Sequence, residues 1–143
     1  GTISIEDLRA SGTVTVGTAV ASDTVTVAGT TYTLVTSGTV VEDQDYSKVK
    51  IGADATATAA NLAAAINKRE RNRNTTSVIA TSAAAVVTVK AYTEGTAGNA
   101  ITLAEVGTSF TISGATLANG TATGGIKSTG ATNSIILFWF EKP

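Results

Sequence analysis

The chain of 143 residues has no His, no Cys and no Met, a single Pro at its last position and a single Trp. Each absence closes off a class of chemistry. Without Cys there is no disulfide framework, no zinc–thiolate site and no thiol nucleophile. Without His, the commonest general base near neutral pH and the commonest transition-metal ligand are both missing. Charge is sparse and balanced, ten basic against eleven acidic side chains, which argues against nucleic acid as the main partner. No apolar run approaches the roughly 20 residues needed to span a bilayer; the best is Ile135 to Phe140. The opening GTISIEDLRA lacks the basic patch and apolar stretch of a secretory signal. A Ser or Thr nucleophile needs a positioned base, and no spacing here supplies one from Lys, Asp or Glu. Composition therefore leans away from an enzyme and predicts no catalytic residue, no cofactor and no resident metal.

What fills the chain instead is Thr, at 27 positions, and Ala, at 24. Thr alternating with Val is a strand texture, because β-branched residues fit an extended backbone and crowd a helix. GTVTVG from Gly12 places Val14 and Val16 on one face. SDTVTVAG does the same with Val25 and Val27, and TYTLV with Tyr32 and Leu34. The intervening Gly29 predicts a tight β-hairpin from Thr24 to Val35. Lys48 to Ile51 reads as a short strand that leaves the acidic loop of Glu42, Asp43 and Asp45.

The texture changes at Asp54. DATATAANLAAAINKRERNRN has Leu62 and Ile66 four apart, with Ala59 and Ala63 on the same stripe. That spacing predicts a helix over 56–69, capped by Asp54 or Thr56 and ending among Lys68, Arg69 and Arg71. Strand texture returns in SVIATS and AVVTVKAY, a second hairpin around Ala83 and Ala84. After the loop EGTAGNA come the short strands NAITLAE and SFTIS, with Ile101, Leu103, Phe110 and Ile112 turned inward. The stretch 114–132 holds five of the fourteen glycines and reads as a long loop or arm. NSIILFWFEK is apolar on both faces, so both faces need cover.

Several motifs invite chemistry, each against a blander reading. Glu42, Asp43 and Asp45 could gather a hard cation, but the ligand series of a calcium loop is absent and a solvated loop is the default. Lys68, Arg69, Arg71 and Arg73 could touch phosphate, yet a helix-terminal charge pattern or a salt-bridged subunit contact suits them better. GTATGGIKS, from Gly120, approaches a phosphate-binding loop and fails because Ile126 separates Gly125 from Lys127. Asn74 and Asn119 head Asn-x-Thr sequons, relevant only on a eukaryotic secretory route. Thr-rich faces could line a sugar- or ice-binding surface, although half-exposed strands use Thr routinely.

Taken in order, SDTVTVAGTTYTLV, VKIGADATATAANLAAAIN, VIATSAAAVVTVKAYTEGTAGNAITLAE and FTISGATLANGT resemble a module common in structural proteins of tailed bacteriophages. It turns up in tail, baseplate and fibre-associated proteins and in small head-decorating proteins. The resemblance spans roughly 12–125, and its most specific marks are the VAGTTYTLV hairpin, the TAANLAAAIN helix and the GTAGNAITL loop-strand. It implies a non-enzymatic building block and transfers no catalytic residues. The expected protein is a virion component made in the bacterial host cytoplasm, oligomeric, and bound to capsid or tail subunits, with no nucleic acid or membrane partner.

The expected fold is α+β, a mostly antiparallel β-sheet or small β-sandwich with one packed α-helix. Its expected parts are an N-terminal attachment segment (1–11), a β-rich domain (12–113), a Gly-rich loop or arm (114–132) and a C-terminal apolar strand (133–143). The expected core is Val14, Val16, Val25, Val27, Tyr32, Leu34, Ile51, Leu62, Ile66, Ile79, Val87, Val89, Ile101, Leu103, Phe110 and Ile112. The expected subunit interface is Ile135, Ile136, Leu137, Phe138, Trp139 and Phe140, with sheet edges contributing. A carbohydrate- or surface-binding adhesion module, displayed on a virion or cell surface, is the alternative.

Overall fold

The computed structural model describes residues 2–4, 8–36, 47–72, 77–122 and 127–129. In chain order the elements are β1 (Thr2–Ser4), β2 (Ser11–Val16), β3 (Thr24–Val27), β4 (Thr30–Val35), β5 (Lys48–Lys50) and helix α1 (Ala55–Asn72). They continue with β6 (Val78–Ala83), β7 (Val86–Ala91), a 3-10 turn (Thr96–Ala100), β8 (Leu103–Val106), β9 (Phe110–Ile112) and β10 (Lys127–Thr129). The strands form two four-stranded sheets, ordered β6-β7-β2-β9 and β5-β4-β3-β8, and a separate β1–β10 ribbon. Every pairing is antiparallel except β4 with β5. The fold is α+β, as the alternating strands and single helical stretch predict.

Local chemistry explains the elements. Period-two alternation buries Val14 and Val16 in β2, Val25 and Val27 in β3, and Tyr32 and Leu34 in β4, where Thr30 joins them on the inward face; the remaining Thr residues of these strands take the other face. The β3–β4 connection is the two residues Ala28 and Gly29, with φ of 51° and 79°. Two consecutive positive φ values give a type I′ turn, whose twist matches the flanking strands. Ala84, in the β6–β7 turn, also has a positive φ of 51° and carries a side chain there.

Helix α1 starts at its cap: Asp54 Oδ1 accepts the Ala57 amide at 2.7 Å. Thr58, fully buried, donates to the Asp54 carbonyl at 2.9 Å and accepts from Gly52 N at 3.0 Å. A Cβ on Gly52 would lie 2.5 Å from that of Ala57, so glycine lets the loop pass under the first turn. The helix runs three residues beyond the expected 56–69 and ends with Arg69 and Arg71 in its last turn. Ala59, Leu62, Ala63 and Ile66 form its buried stripe.

Both sheets and the helix contribute to one buried cluster. The helix packs on β5 of one sheet and on β6, β7 and β2 of the other, closing the gap between the β5 and β6 edges. On the opposite side β8 and β9 adjoin, linked by Gly107 to Ser109.

Four expected core residues need correction. Ile51, Ile101 and Ile112 are only partly buried, packed on the margin of the cluster where their segments enter or leave a strand. Ile79 is on the wrong face: Val78 and Ala80 point inward, and Ile79 pairs with Lys90 on the outer side. Small Ala80 lets the helix approach β6. Leu8, Val49, Val78 and Leu117 belong to the buried set without having been expected.

Of the stretch 114–132, expected as a long loop or arm, the described residues 114–122 are irregular chain fastened to the domain by isolated bridges. The register Val16↔Phe110, Thr15↔Thr111, Val14↔Ile112 would set Ala115 opposite Ser11, but Ala118 stands there. The extra residues bow out to the other sheet, where Leu103 N donates to Ala115 O at 2.8 Å and Leu117 N to Ile101 O at 2.9 Å. Leu117 is 1% exposed. Gly12 admits this crossing, since a Cβ there would lie 3.0 Å from both Leu103 and Leu117 side chains. Further on, residues 127–129 are strand β10.

Candidate functional site

The expected interface residues Ile135, Ile136, Leu137, Phe138, Trp139 and Phe140 lie outside the described residues, as do Glu42, Asp43, Asp45, Arg73 and Asn74. What the structure does place are the described residues of the two terminal segments. The Leu8 carbonyl accepts from Gly95 N at 3.3 Å and from Thr121 N at 3.1 Å, so both segments meet at one end of the sandwich. They then pair as β1 and β10, Thr2↔Thr129, Ile3↔Ser128 and Ser4↔Lys127. Lys127, set aside as part of a phosphate loop, is thus a strand residue.

Packing at this end is tight because the residues are small. A Cβ on Gly98 would lie 2.7 Å from that of Ala91 and 2.9 Å from that of Ala10. Asn99 clasps Gly120 from both sides, Oδ1 accepting its amide at 2.8 Å and Nδ2 donating to its carbonyl at 3.0 Å. Close by, Tyr92 is 54% exposed beside exposed Thr93 and Glu94.

Three of the four sheet edges are each engaged at a point within the chain. Asn67, on the helix, mimics a strand against β6: Ala80 N donates to Oδ1 and Nδ2 donates to Ala80 O, each at 2.8 Å. Glu70 accepts the Ser77 amide just before that strand. On β5, the Lys50 carbonyl accepts Asn61 Nδ2 at 2.9 Å. The start of β8 carries the crossing segment, and β9 is three residues long. Such cover blunts edge-to-edge pairing.

Two places at the other end could suggest chemistry. A shallow concavity of about 520 Å³ is lined by Gly17, Thr18, Ala19, Ile51, Gly52, Ala53, Asp54, Ala55 and Thr58. Its ionisable group, Asp54, already caps the helix, and the Thr58 hydroxyl has both a donor and an acceptor role filled. The second is Asp23 with Ser109. Asp23 Oδ2 accepts from Ser109 Oγ at 2.6 Å, Thr108 N at 2.9 Å and Ser109 N at 2.9 Å.

These bonds, the Ser109 hydroxyl first and the Thr108 amide next, hold the Asp23 carboxyl below the usual carboxylate range against a smaller opposing effect of desolvation. A carboxylate so stabilised is a poor general base. Ser109 is fully buried, and its oxygen also accepts from Val20 N at 2.8 Å. The pair therefore acts as a clamp: it ties the loop before β3 to the corner between β8 and β9, where Gly107 turns with φ of 110°.

Lys68, Arg69 and Arg71 sit at the end of α1. Among the described residues no three His, Cys, Asp or Glu side chains gather as a metal site, and no helix is long and apolar enough to cross a membrane. Sequence reasoning missed Asn67, Asn99 and Asp23 as organising residues. The one available signal was their placement: Asn67 on the flank of the buried stripe, Asp23 directly before a strand. A scan against protein-family models finds no match, and neither does a search of curated proteins.

Proposed function

We propose that the chain is a non-enzymatic structural protein of a tailed bacteriophage particle, a capsid decoration or cement protein or a small tail or baseplate component. It assembles with copies of itself and with neighbouring virion subunits. The observation that carries the reading is the β1–β10 ribbon: the two terminal segments leave one end of the sandwich and pair with each other, outside both sheets. The apolar run Ile135 to Phe140 follows β10 closely in sequence. Cover at Ala80 and Lys50 blunts the β6 and β5 edges as sites of strand addition. The order of hairpin, helix and loop-strand segments resembles that of the phage module described above.

Cryo-electron microscopy of intact particles tests this directly, with the chain expected between capsid or tail subunits. Trp139→Ala and Phe138→Ala are expected to leave the sandwich folded and to reduce incorporation into particles. A clean monomer in solution whose variants incorporate as well as the wild type would overturn the interface. The second reading, a carbohydrate-binding adhesion module, draws on Tyr92, an exposed aromatic ring flanked by Thr93 and Glu94. Glycan-array binding abolished by Tyr92→Ala would favour it, and an empty array would remove it.

A further inference from the structure

Asn119 is the one asparagine followed by glycine in this chain. In such a pair the glycine nitrogen, once deprotonated, attacks the asparagine Cγ; a cyclic succinimide forms and ammonia leaves. Water then opens the ring to aspartate or isoaspartate. Attack requires the nitrogen to be free of its hydrogen bond and able to approach Cγ. Small, flexible glycine normally grants both.

Here the dipeptide is demanded by packing. Asn119 is exposed and holds a φ of 67°, a left-handed conformation that asparagine tolerates better than most residues. Gly120 is buried, and a Cβ on it would lie 2.4 Å from the Gly95 carbonyl oxygen and 3.1 Å from Ala10 Cβ. No side chain fits. The reactive amide is then fastened: Gly120 N donates to Asn99 Oδ1 at 2.8 Å, while Asn99 Nδ2 donates to Gly120 O at 3.0 Å. Flanking bonds, Ala118 N to Ser11 O at 3.0 Å and Thr121 N to Leu8 O at 3.1 Å, hold the segment on both sides.

We propose that Asn119–Gly120 is a latent deamidation site that the Asn99 side chain holds unreactive. Opening the clasp frees the Gly120 nitrogen, and reaction leaves a new carboxylate, with an extra main-chain methylene in the isoaspartate product. The change falls beside the Thr121–Leu8 bond, where the two terminal segments meet. Deamidation therefore loosens the end of the domain from which β1 and β10 extend. This inference stands independently of the assembly reading.

The test is to incubate the full chain at mildly alkaline pH, folded and in denaturant, and quantify aspartate and isoaspartate at Asn119 by peptide mass spectrometry. Asn61 and Asn67 serve as internal controls. The folded wild type is expected to react at least about tenfold more slowly than the denatured chain, the scale of losing a pair of local hydrogen bonds. Asn99→Ala, checked as folded by circular dichroism, is expected to recover roughly that factor at Asn119 alone. Equal rates for folded and denatured wild type would overturn the proposal, as would a folded Asn99→Ala no faster than wild type. If that variant does not fold, hydrogen exchange of the Gly120 amide in the wild type decides. Slow exchange supports the clasp, and exchange at the rate of an open loop refutes it.

Discussion

Replacing Asn67 by Ala should be among the most damaging single changes on the polar side of the helix. The side chain accepts the Ala80 amide and donates to the Ala80 carbonyl, each at 2.8 Å, and Ala80 is 3% exposed. A hydrogen bond of this kind contributes about 1 kcal/mol net, and stranding its buried partner costs about 1–3 kcal/mol. Two main-chain groups are stranded together. Against this, Ala is the better helix former by about 0.5 kcal/mol. The expected loss is about 2–4 kcal/mol. In a chain of this length each kcal/mol moves Tm by about 3 °C, so the drop should be about 6–12 °C. Urea unfolding and thermal melts by circular dichroism measure both. The control is Asn61→Ala, which removes a single exposed bond of 2.9 Å to the Lys50 carbonyl and should cost less than about 1 kcal/mol. The variant also bares the outer edge of β6, so size-exclusion chromatography should show concentration-dependent association. An Asn67→Ala protein that melts with the Asn61 control and stays monomeric would refute the view that helix side chains finish the sheet.

Further consequences follow from the same contacts. Leu117→Ala should cost about 2–5 kcal/mol, the range for emptying a buried leucine site, because Leu117 is 1% exposed; a near-neutral urea midpoint would return 114–122 to the status of a free arm. Ala84→Gly should stabilise by about 0.5–1 kcal/mol, since left-handed backbone penalises a Cβ by more than glycine loses in entropy; an unchanged or lower Tm sinks this. Asp23→Ala should destabilise the corner in a pH-dependent way. The folded-state pKa of Asp23 lies below its unfolded value, so its contribution is present above the unfolded carboxylate pKa and disappears as pH falls through the folded one. The stability gap between wild type and Asp23→Ala should therefore be constant near neutrality and narrow in strong acid, and a gap that does not change with pH would refute a charge-dependent clamp.

The elements were legible because they are written in local periodicity. Val and Thr in alternation fix which face each strand buries, Gly29 marks a turn that needs positive φ, and Ala-rich spacing marks the helix. Ile79 shows where that reading slips. In VIA two adjacent apolar residues offer either face, and the approach of the helix to Ala80, not the size of Ile79, decides. Closure of the fold was not legible, because it rests on contacts far apart in sequence made by residues whose local reading is bland. Asn67 reads as a solvent-facing helix residue, Asn99 and Asp23 as turn formers, and Leu117 as one apolar side chain among Gly, Ala and Thr. Yet these four tie the helix to β6, the 3-10 turn to Gly120, the loop before β3 to Ser109, and the crossing segment to the core. A chain with few aromatics and much Ala and Thr offers little large apolar surface for joining its layers. Hydrogen bonds from side chain to backbone then take a larger share of that work, and glycines at 52 and 120 take part in them. The same logic bears on the proposed interface. Its apolar character was readable in Ile135 to Phe140 because it is local, whereas the ribbon that precedes it in sequence, joining residues 2–4 to 127–129, depends on a pairing that spans the chain.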